Sequence, residues 1–404
     1  MSADPILPTD IALDPSVRFA PAPDPSAPDA PDASPARHGS SSRVLLTGAT
    51  GFLGANLLAD LLTRTPLHVR CLVRAVDAPD ARARVRQSLD AQRLWQPAFD
   101  DRLDVVAGDL SLPSLGLSAA AFAALGDEMD AIYHAGARLN LFSPYRVLKP
   151  INVAGTHEML RLAAIGRPKA FHHISSVVVF GARARHPSGE LPEVFDVPDL
   201  ASDASGYAAS KWAAERLVTQ AADRGATMSI YRPGRITGHS VTGIGNADDA
   251  FSLMLAGCLR CGIAPALDGV IHLTPVDIVS RAIVDLSRRA DAGGQAYHLI
   301  NPAAVTWLDV TDTLRARGYV RRIVSMDDWR AAIARERDAR PDTLLERLHV
   351  LIARPRPPFS ATRRDVSDAR TRAGVGDLSY PADHAELIDR YARHLADAVV
   401  GRID

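Results

Sequence analysis

Tyr207 and Lys211 stand four positions apart in GYAASKWAAERLV, and on a helix that spacing puts both side chains on one face, one turn apart. With eight tyrosines and three lysines in the chain, chance would supply roughly 0.06 such pairs, so the spacing carries information. An ammonium beside a phenol stabilises the phenolate, so the Tyr207 pKa is expected below its usual value of about 10, making it a better proton donor near neutrality. Ser176 directly follows the run FHHIS, 31 positions before Tyr207, and its hydroxyl is a second donor able to converge on the same oxygen. Ser175 is its rival, because successive strand residues face opposite sides. Two donors then converge. Asn152, in INVAGT, is a candidate to hold a backbone kink or a water in a proton path, the plain alternative being a helix N-cap. No ligand spacing connects His134, His172 and His173, which read as packed or backbone-bonded strand residues.

These groups need a frame, and residues 43–74, RVLLTGATGFLGANLLADLLTRTPLHVRCLVR, read as strand, glycine turn, helix and second strand. Gly48, Gly51 and Gly54 fall at three-residue intervals: the first permits the tight turn, the second lets a pyrophosphate approach the helix N-terminus, and the third lets helix and strand pack closely. An NAD site carries an acidic residue at the end of the second strand. Here that strand, His68 to Val73, ends at Arg74, with Arg82, Arg84 and Arg86 beyond, and a guanidinium suits a 2′-phosphate, so the expected cofactor is NADPH.

Further apolar runs end at Ala107, Ala135, Ile174, Tyr231 and Ile300, with helical patterns between most of them, which indicates an α/β doubly wound parallel sheet. Ligands of such sheets bind beyond the carboxyl ends of the strands, so Asp109 and Leu110, Ala135, Gly136 and Ala137, and the Ser175–Ser176 pair are expected on one rim. Residues 1–42 hold nine prolines among alanine, serine and aspartate and read as a flexible extension, except that IALDPSVRF (11–19) is apolar enough to dock. The expected domains are that extension, a nucleotide-binding domain over 43–302 with excursions at 182–205 and 238–270 toward a substrate lobe, and a smaller, mostly helical lobe over 303–404.

At 404 residues and 47% hydrophobic content there is ample material for a core, and the near-zero, interspersed charge argues against a nucleic-acid or membrane partner. A basic n-region followed by an apolar stretch is absent, and so is any run of 18 apolar residues, so a cytoplasmic protein is expected. Cys258 and Cys261 form a lone CxxC in apolar surroundings and read as packed thiols; no metal site is expected.

With TGATGFLG, Ser176, Tyr207 and Lys211 in place, the chain resembles an extended short-chain dehydrogenase/reductase on the NAD(P)-binding Rossmann fold. GDLSLPSLGLS (108–118), IYHAGARLNLFSPYRVLKPINVAGTHEML (132–160), YRPGRITGHSVTGIGNADDAF (231–251) and HLTPVDIVSRAIV (272–284) narrow the resemblance to the thioester reductase domains of nonribosomal peptide synthetases, polyketide synthases and carboxylic acid reductases. It covers about residues 10 to 300, and only loosely the rest. The family carries Thr or Ser at position 176. By this resemblance Ser176, Tyr207 and Lys211 are catalytic. The cofactor contacts are Thr47, Gly48, Thr50, Gly51, Phe52, Leu53 and Gly54 in the turn, Arg74 and Arg84, and Asp109, Leu110, Ala135, Gly136, Ala137 and Asn152 along the rim. Tyr207, Lys211, Pro233, Gly234 and Ile236 complete that set.

The resemblance implies NADPH-dependent reductive release of an acyl or peptidyl thioester from a phosphopantetheinyl carrier protein, to an aldehyde and in some cases an alcohol. Upstream of Ser42 there is no carrier sequence, and SLGLS at Ser114 follows a strand of the nucleotide fold, so the carrier is expected from another polypeptide. Three other readings compete: an acyl-CoA reductase, whose thioester has the same arm; a nucleotide-sugar epimerase or dehydratase, disfavoured by Arg74 and the 231–251 pattern; and a non-enzymatic NADP sensor, disfavoured by Tyr207 and Lys211.

Overall fold

The apolar run Val44–Leu46 lies in a strand whose last four residues are all buried, as a strand covered on both faces requires. It belongs to a seven-stranded parallel sheet in a computed structural model that describes residues 6–20, 42–140, 143–181, 190–201, 204–353, 359, 365–376 and 378–400. In chain order the elements are β1 (Arg43–Thr47), α1 (Phe52–Arg64), β2 (His68–Val73), α2 (Ala78–Ala91), β3 (Leu103–Ala107), α3 (Ala119–Glu128), β4 (Ala131–His134), α4 (Tyr145–Lys149), α5 (Gly155–Ala163), β5 (Ala170–Ile174), α6 (Gly206–Asp223), β6 (Thr227–Pro233), α7 (Ala250–Cys261), α8 (Val276–Ser287) and β7 (Gln295–Leu299). The strand order is β7-β6-β5-β4-β1-β2-β3. β1 pairs in parallel with β2 on one side and β4 on the other, Thr47 standing opposite both Leu72 and His134. The winding reverses there, and at such a switch point the carboxyl ends of the strands leave a crevice.

The chain divides into two compact units: Met1–Gly234, Val279–Leu299 and Val366–Leu378 form one, and Arg235–Ile278, Ile300–Asp365 and Ser379–Asp404 the other. In the first, Leu45, Ile132, Phe171 and Ile230 from the sheet meet Leu160, Trp212, Ala213 and Leu217 from α5 and α6. Leu13 and Val17 of the N-terminal segment are buried in that same core. Arg224 at the end of α6 donates to the carbonyls of Leu13, Asp14 and Val17 at 2.7, 2.6 and 3.0 Å. Residues 1–5 and 21–41, on which the expectation of flexibility mostly falls, lie outside the described residues.

The second unit packs α7, α9 (Trp307–Ala316), α10 (Met326–Ala339), α11 (Thr343–Ile352) and α13 (His384–Val400) around Phe251, Trp307, Trp329 and Tyr391. Gly257 allows α7 to approach closely, since a Cβ there would lie 2.4 Å from Leu348 and 2.9 Å from Trp329. Cys258 and Cys261 sit on this helix, buried and half-buried, and burial pushes both thiols up, away from reactivity. Among the described residues no helix is long and apolar enough to cross a membrane.

Two sequence boundaries need correction. Leu191 and Val197 are buried in the core of the first unit, so the described part of the 182–205 stretch covers the sheet and does not leave it; residues 182–189 and 202–203 are outside the described residues. Nor does the chain divide once at 302/303. The short helix α12 (Ala369–Gly374) returns to the first unit, where the buried Glu193 carboxylate accepts from Arg370 N, Thr371 N and Thr371 Oγ1 at 2.6, 3.1 and 2.6 Å.

Candidate functional site

The turn between β1 and α1 is built from backbone alone. Gly48 has φ +82° and no room for a Cβ, which would stand 2.8 Å from the Ala135 carbonyl carbon; Gly54 is pressed against it, with a Cβ there 1.9 Å from Gly48 O. Gly51 is the N-cap of α1 and supplies no side-chain cap, so the first-turn amides are left without a side-chain acceptor among the described residues. Thr50 and Gly51 are exposed and Phe52 and Leu53 half-buried, so the concave face is open. Along the rim Gly136 faces Leu110, whose Cδ1 a Cβ would meet at 2.6 Å, Ala137 is exposed, and Asp109 accepts from Ser111 N and Oγ at 2.8 and 2.7 Å. A pyrophosphate needs such unpaired amides beside backbone that no Cβ obstructs, and the turn fits one.

Arg74 is exposed at the end of β2, and its guanidinium makes no hydrogen bond or ion pair with the described residues. Arg84 donates to the Arg74 carbonyl, which brings a second guanidinium to the same strand end. Arg82 and Arg86 are engaged elsewhere, with Asp100 and Asp90.

Asn152 is not an N-cap. Pro150 cannot donate an amide hydrogen to the preceding turn, and residues Pro150–Ala154 form a π turn between α4 and α5. From it the Asn152 side chain accepts from Arg138 N at 2.7 Å and donates to Arg138 O at 3.1 Å and Ser210 Oγ at 2.9 Å. His134, expected to be packed or backbone-bonded, instead links two threonines: Nδ1 lies 2.9 Å from Thr47 Oγ1 and Nε2 3.0 Å from Thr156 Oγ1. Thr156 donates its hydrogen to Asn152 O and Thr47 Oγ1 accepts from Gly136 N, at 2.7 and 2.9 Å. Each hydroxyl has one hydrogen, so Thr156 must accept from Nε2–H and Thr47 must donate to Nδ1, which assigns His134 as the neutral Nε2–H tautomer. Burial, and then the Lys211 charge, push its pKa down to about 3. Neither ring nitrogen of the buried His173 has a partner among the described residues.

Helix α6 is capped by Ser205 and places Tyr207 and Lys211 on its buried side. Lys211 Nζ donates to Ile174 O, the last carbonyl of β5, at 2.6 Å. Burial brings Lys211 down to about 8, opposed by Glu215 one turn further on. The Tyr207 hydroxyl is hydrogen-bonded to none of the described residues, and burial pushes its pKa up to about 12. The sequence expectation of a lowered value is thus reversed: the ammonium is committed to the β5 carbonyl, and desolvation of the phenolate dominates. Ser176, half-buried, caps the 3-10 turn Val177–Phe180, its Oγ 3.4 Å from both Pro233 O and Val178 N. Ser175 is buried, its hydroxyl without a partner among the described residues. Gly234 N donates to Leu299 O at 2.9 Å beside buried Pro233, whereas Ile236 falls in the second unit, in the short strand Ile236–Thr237.

Two features escaped the sequence reading. YRVLK repeats the spacing at Tyr145 and Lys149, so two of the three lysines have a tyrosine four residues before them. This second pair is spent on Asp10, as described below. Beneath Lys211, Glu215 and Arg232 form a fully buried bidentate pair at 2.9 and 2.7 Å. Nothing in local spacing marks that pair.

A family model described as "Male sterility protein" matches residues 46–283, and the chain is an NAD(P)-dependent oxidoreductase on an extended short-chain dehydrogenase/reductase fold. The solved terminal R domain from the myxalamid PKS-NRPS pathway superposes with a TM-score of 0.83 at 37% identity over 96% of both chains. The reductase (R) domain of a nonribosomal peptide synthetase from Mycobacterium tuberculosis gives 0.73 at 30% identity over 89% of this chain and 92% of that one. The chain belongs to the family of reductase domains of nonribosomal peptide and mixed polyketide–peptide synthetases. Among curated relatives, a linear gramicidin synthase of Brevibacillus parabrevis is 42% identical over 72% of this chain, and aldehyde reductase lnbA of Aspergillus flavus 34% over 88%. The chain spans only 6% and 35% of those two proteins. A UDP-glucuronic acid 4-epimerase from Bacillus cereus, at 15% identity and a TM-score of 0.62, shares the fold alone.

Proposed function

We propose that the protein reduces an acyl or peptidyl thioester on the phosphopantetheine arm of a carrier protein, with NADPH, and releases an aldehyde. The observation that carries this reading is the Tyr207 hydroxyl, without a partner among the described residues, one helical turn from a lysine anchored to the last carbonyl of β5. Family membership narrows the carbonyl to a thioester, and the unpaired Arg74 with Arg84 beside it favours a 2′-phosphate.

The dinucleotide, when bound, supplies a hydride to the thioester carbonyl carbon. The glycine turn and the α1 amides would hold its pyrophosphate, and Lys211 would donate to the nicotinamide ribose hydroxyls. As the carbonyl oxygen gains charge, Tyr207 Oη and Ser176 Oγ donate to it, and Tyr207 passes its proton to give a hemithioacetal. A phenol held near 12 gives up its proton only once the carbonyl oxygen has become strongly basic. Its hydrogen bond therefore strengthens most where the barrier lies. Collapse of the hemithioacetal breaks the C–S bond, returning the carrier thiol and an aldehyde, and a second hydride would carry the aldehyde to an alcohol.

The test is incubation with an acyl-loaded carrier and excess NADPH, with the released product identified by mass. Aldehyde or alcohol is expected, with Tyr207→Phe reduced by on the order of a hundred-fold or more in rate while still binding the nucleotide. Turnover of acyl-CoA at the rate of acyl-carrier would replace the carrier with a free thioester, and wild-type rates in the phenylalanine variant would remove the tyrosine from the mechanism.

A further inference from the structure

We infer that the N-terminal segment is a working part of the site, with Asp10 as a positioning residue that sets helix α4 and, through it, the stretch of α6 that carries Tyr207 and Lys211. The inference rests on the roles proposed above for those two residues.

Asp10 is buried, its side chain 3% exposed, although it lies in a proline-rich segment. One oxygen accepts from Lys149 Nζ at 2.6 Å, and the other from Tyr145 Oη at 3.0 Å and Leu7 N at 3.2 Å. Burial alone would raise its pKa, but these bonds outweigh that and hold the carboxyl below its ordinary value. A charge-assisted contact at each end of α4 lets one carboxylate fix the whole five-residue helix. α4 runs on through the π turn into α5, and Pro150 removes an amide donor at that junction, so the carboxylate supports the stretch where the helical bonding is interrupted.

Both ends of α4 reach α6. At its start, a Cβ on Gly206 would lie 2.4 Å from Ser143 O and 2.6 Å from Tyr145 N, so the residue before Tyr207 rests directly on the α4 backbone. At its end the π turn presents Asn152, which donates to Ser210 Oγ, and Ser210, the residue before Lys211, donates in turn to Tyr207 O at 2.8 Å. The path from Asp10 to the two reactive residues is therefore continuous on both sides. The other end of the segment is held separately, by Arg224 and by Gln220, which accepts from Leu13 N and donates to Ile11 O. Those contacts lie at the far end of α6, about two and a half turns and more from Lys211.

This separation allows a test on the full chain. Asp10→Ala is compared with Arg224→Ala, which loosens the segment without touching α4, and with Asp10→Glu. Thermal midpoint, kcat for NADPH oxidation on a loaded carrier, and amide hydrogen exchange over residues 145–156 and 206–212 are measured in each. Both alanine variants should melt earlier. Only Asp10→Ala should lose kcat, on the order of ten- to a hundred-fold, with faster exchange in both stretches, and the glutamate should restore part of each. Equal kcat losses in the two alanine variants, or wild-type kcat and exchange in Asp10→Ala, would overturn the inference. If the wild type turns over no thioester, the proposed function fails, while the exchange comparison still decides the brace.

Discussion

Tyr145 gives its proton to a hydrogen bond with a carboxylate, and burial and that carboxylate both push its pKa up, so it cannot serve as an acid. Tyr207, at the same distance before a lysine, has no such partner, and its lysine is anchored to a backbone carbonyl. Spacing alone does not separate the two pairs; what their neighbours accept does. Lys211 makes the most direct test at this scale. Its folded pKa of about 8 lies below the ordinary 10.5, so below pH 8 its charge costs stability, and that cost fades as pH rises from about 8 to 10.5. Nucleotide affinity should run the other way, because the ammonium is the donor to the ribose. The NADPH dissociation constant of the free protein, followed by fluorescence, should rise through a midpoint near pH 8, and Lys211→Met should bind weakly at every pH without that step. Arg74→Asp should weaken NADPH at least ten-fold more than NADH, since a carboxylate repels the 2′-phosphate and accepts from a 2′-hydroxyl. An unchanged ratio would assign that reading to Arg84. The place of Arg74 at the end of β2 was legible in the sequence because that strand follows a glycine turn and its helix. His134 was not, because its partners Thr47 and Thr156 come from β1 and α5, and only the fold brings them together.

The turn between β1 and α1 is where local sequence determines structure most tightly. Gly54→Ala would place a methyl 1.9 Å from Gly48 O, and since that contact is backbone on backbone, the helix must move away from the strand. The expected outcome is a protein with a lower melting temperature that binds no NADPH in a fluorescence titration; retained affinity would mean that the cradle tolerates a displaced helix. That turn, the parallel strands and α6 were readable because periodicity and glycine spacing are local signals. The π turn at Asn152 was half readable. Pro150 announces a break in the helical pattern, but whether the chain caps a new helix or slips register depends on Arg138, which donates to and accepts from Asn152, and on Ser210, which accepts from it. The pKa of Tyr207 was misread for a related reason: the helix spacing was right, but burial and the Ile174 carbonyl are properties of neighbouring elements.

At the scale of the molecule, composition does not change where the chain passes from one unit to the other, at Gly234, Ile278, Leu299, Asp365 and Leu378. A single boundary at 302/303 therefore looked natural and missed the return of α12. The return matters because of Glu193. Its carboxylate accepts from His298 N within the sheet and from three donors on Arg370 and Thr371, while Arg370 also donates to Ala296 O. A chain ending at residue 302 keeps the buried carboxylate and only one of those four donors. Removing the partners of a buried charge costs about 3–5 kcal/mol, so the truncated chain should melt far below the full one or fail to fold. Replacing the charge changes the sign of the effect with context. Glu193→Leu should destabilise the full chain, by stranding the Arg370 and Thr371 donors, and should stabilise the truncated one, by removing a carboxylate with too few donors. Thermal melts of the four proteins decide it: if Glu193→Leu lowers the melting temperature of both chain lengths alike, α12 is not what satisfies the carboxylate, and the nucleotide-binding unit folds without its C-terminal return.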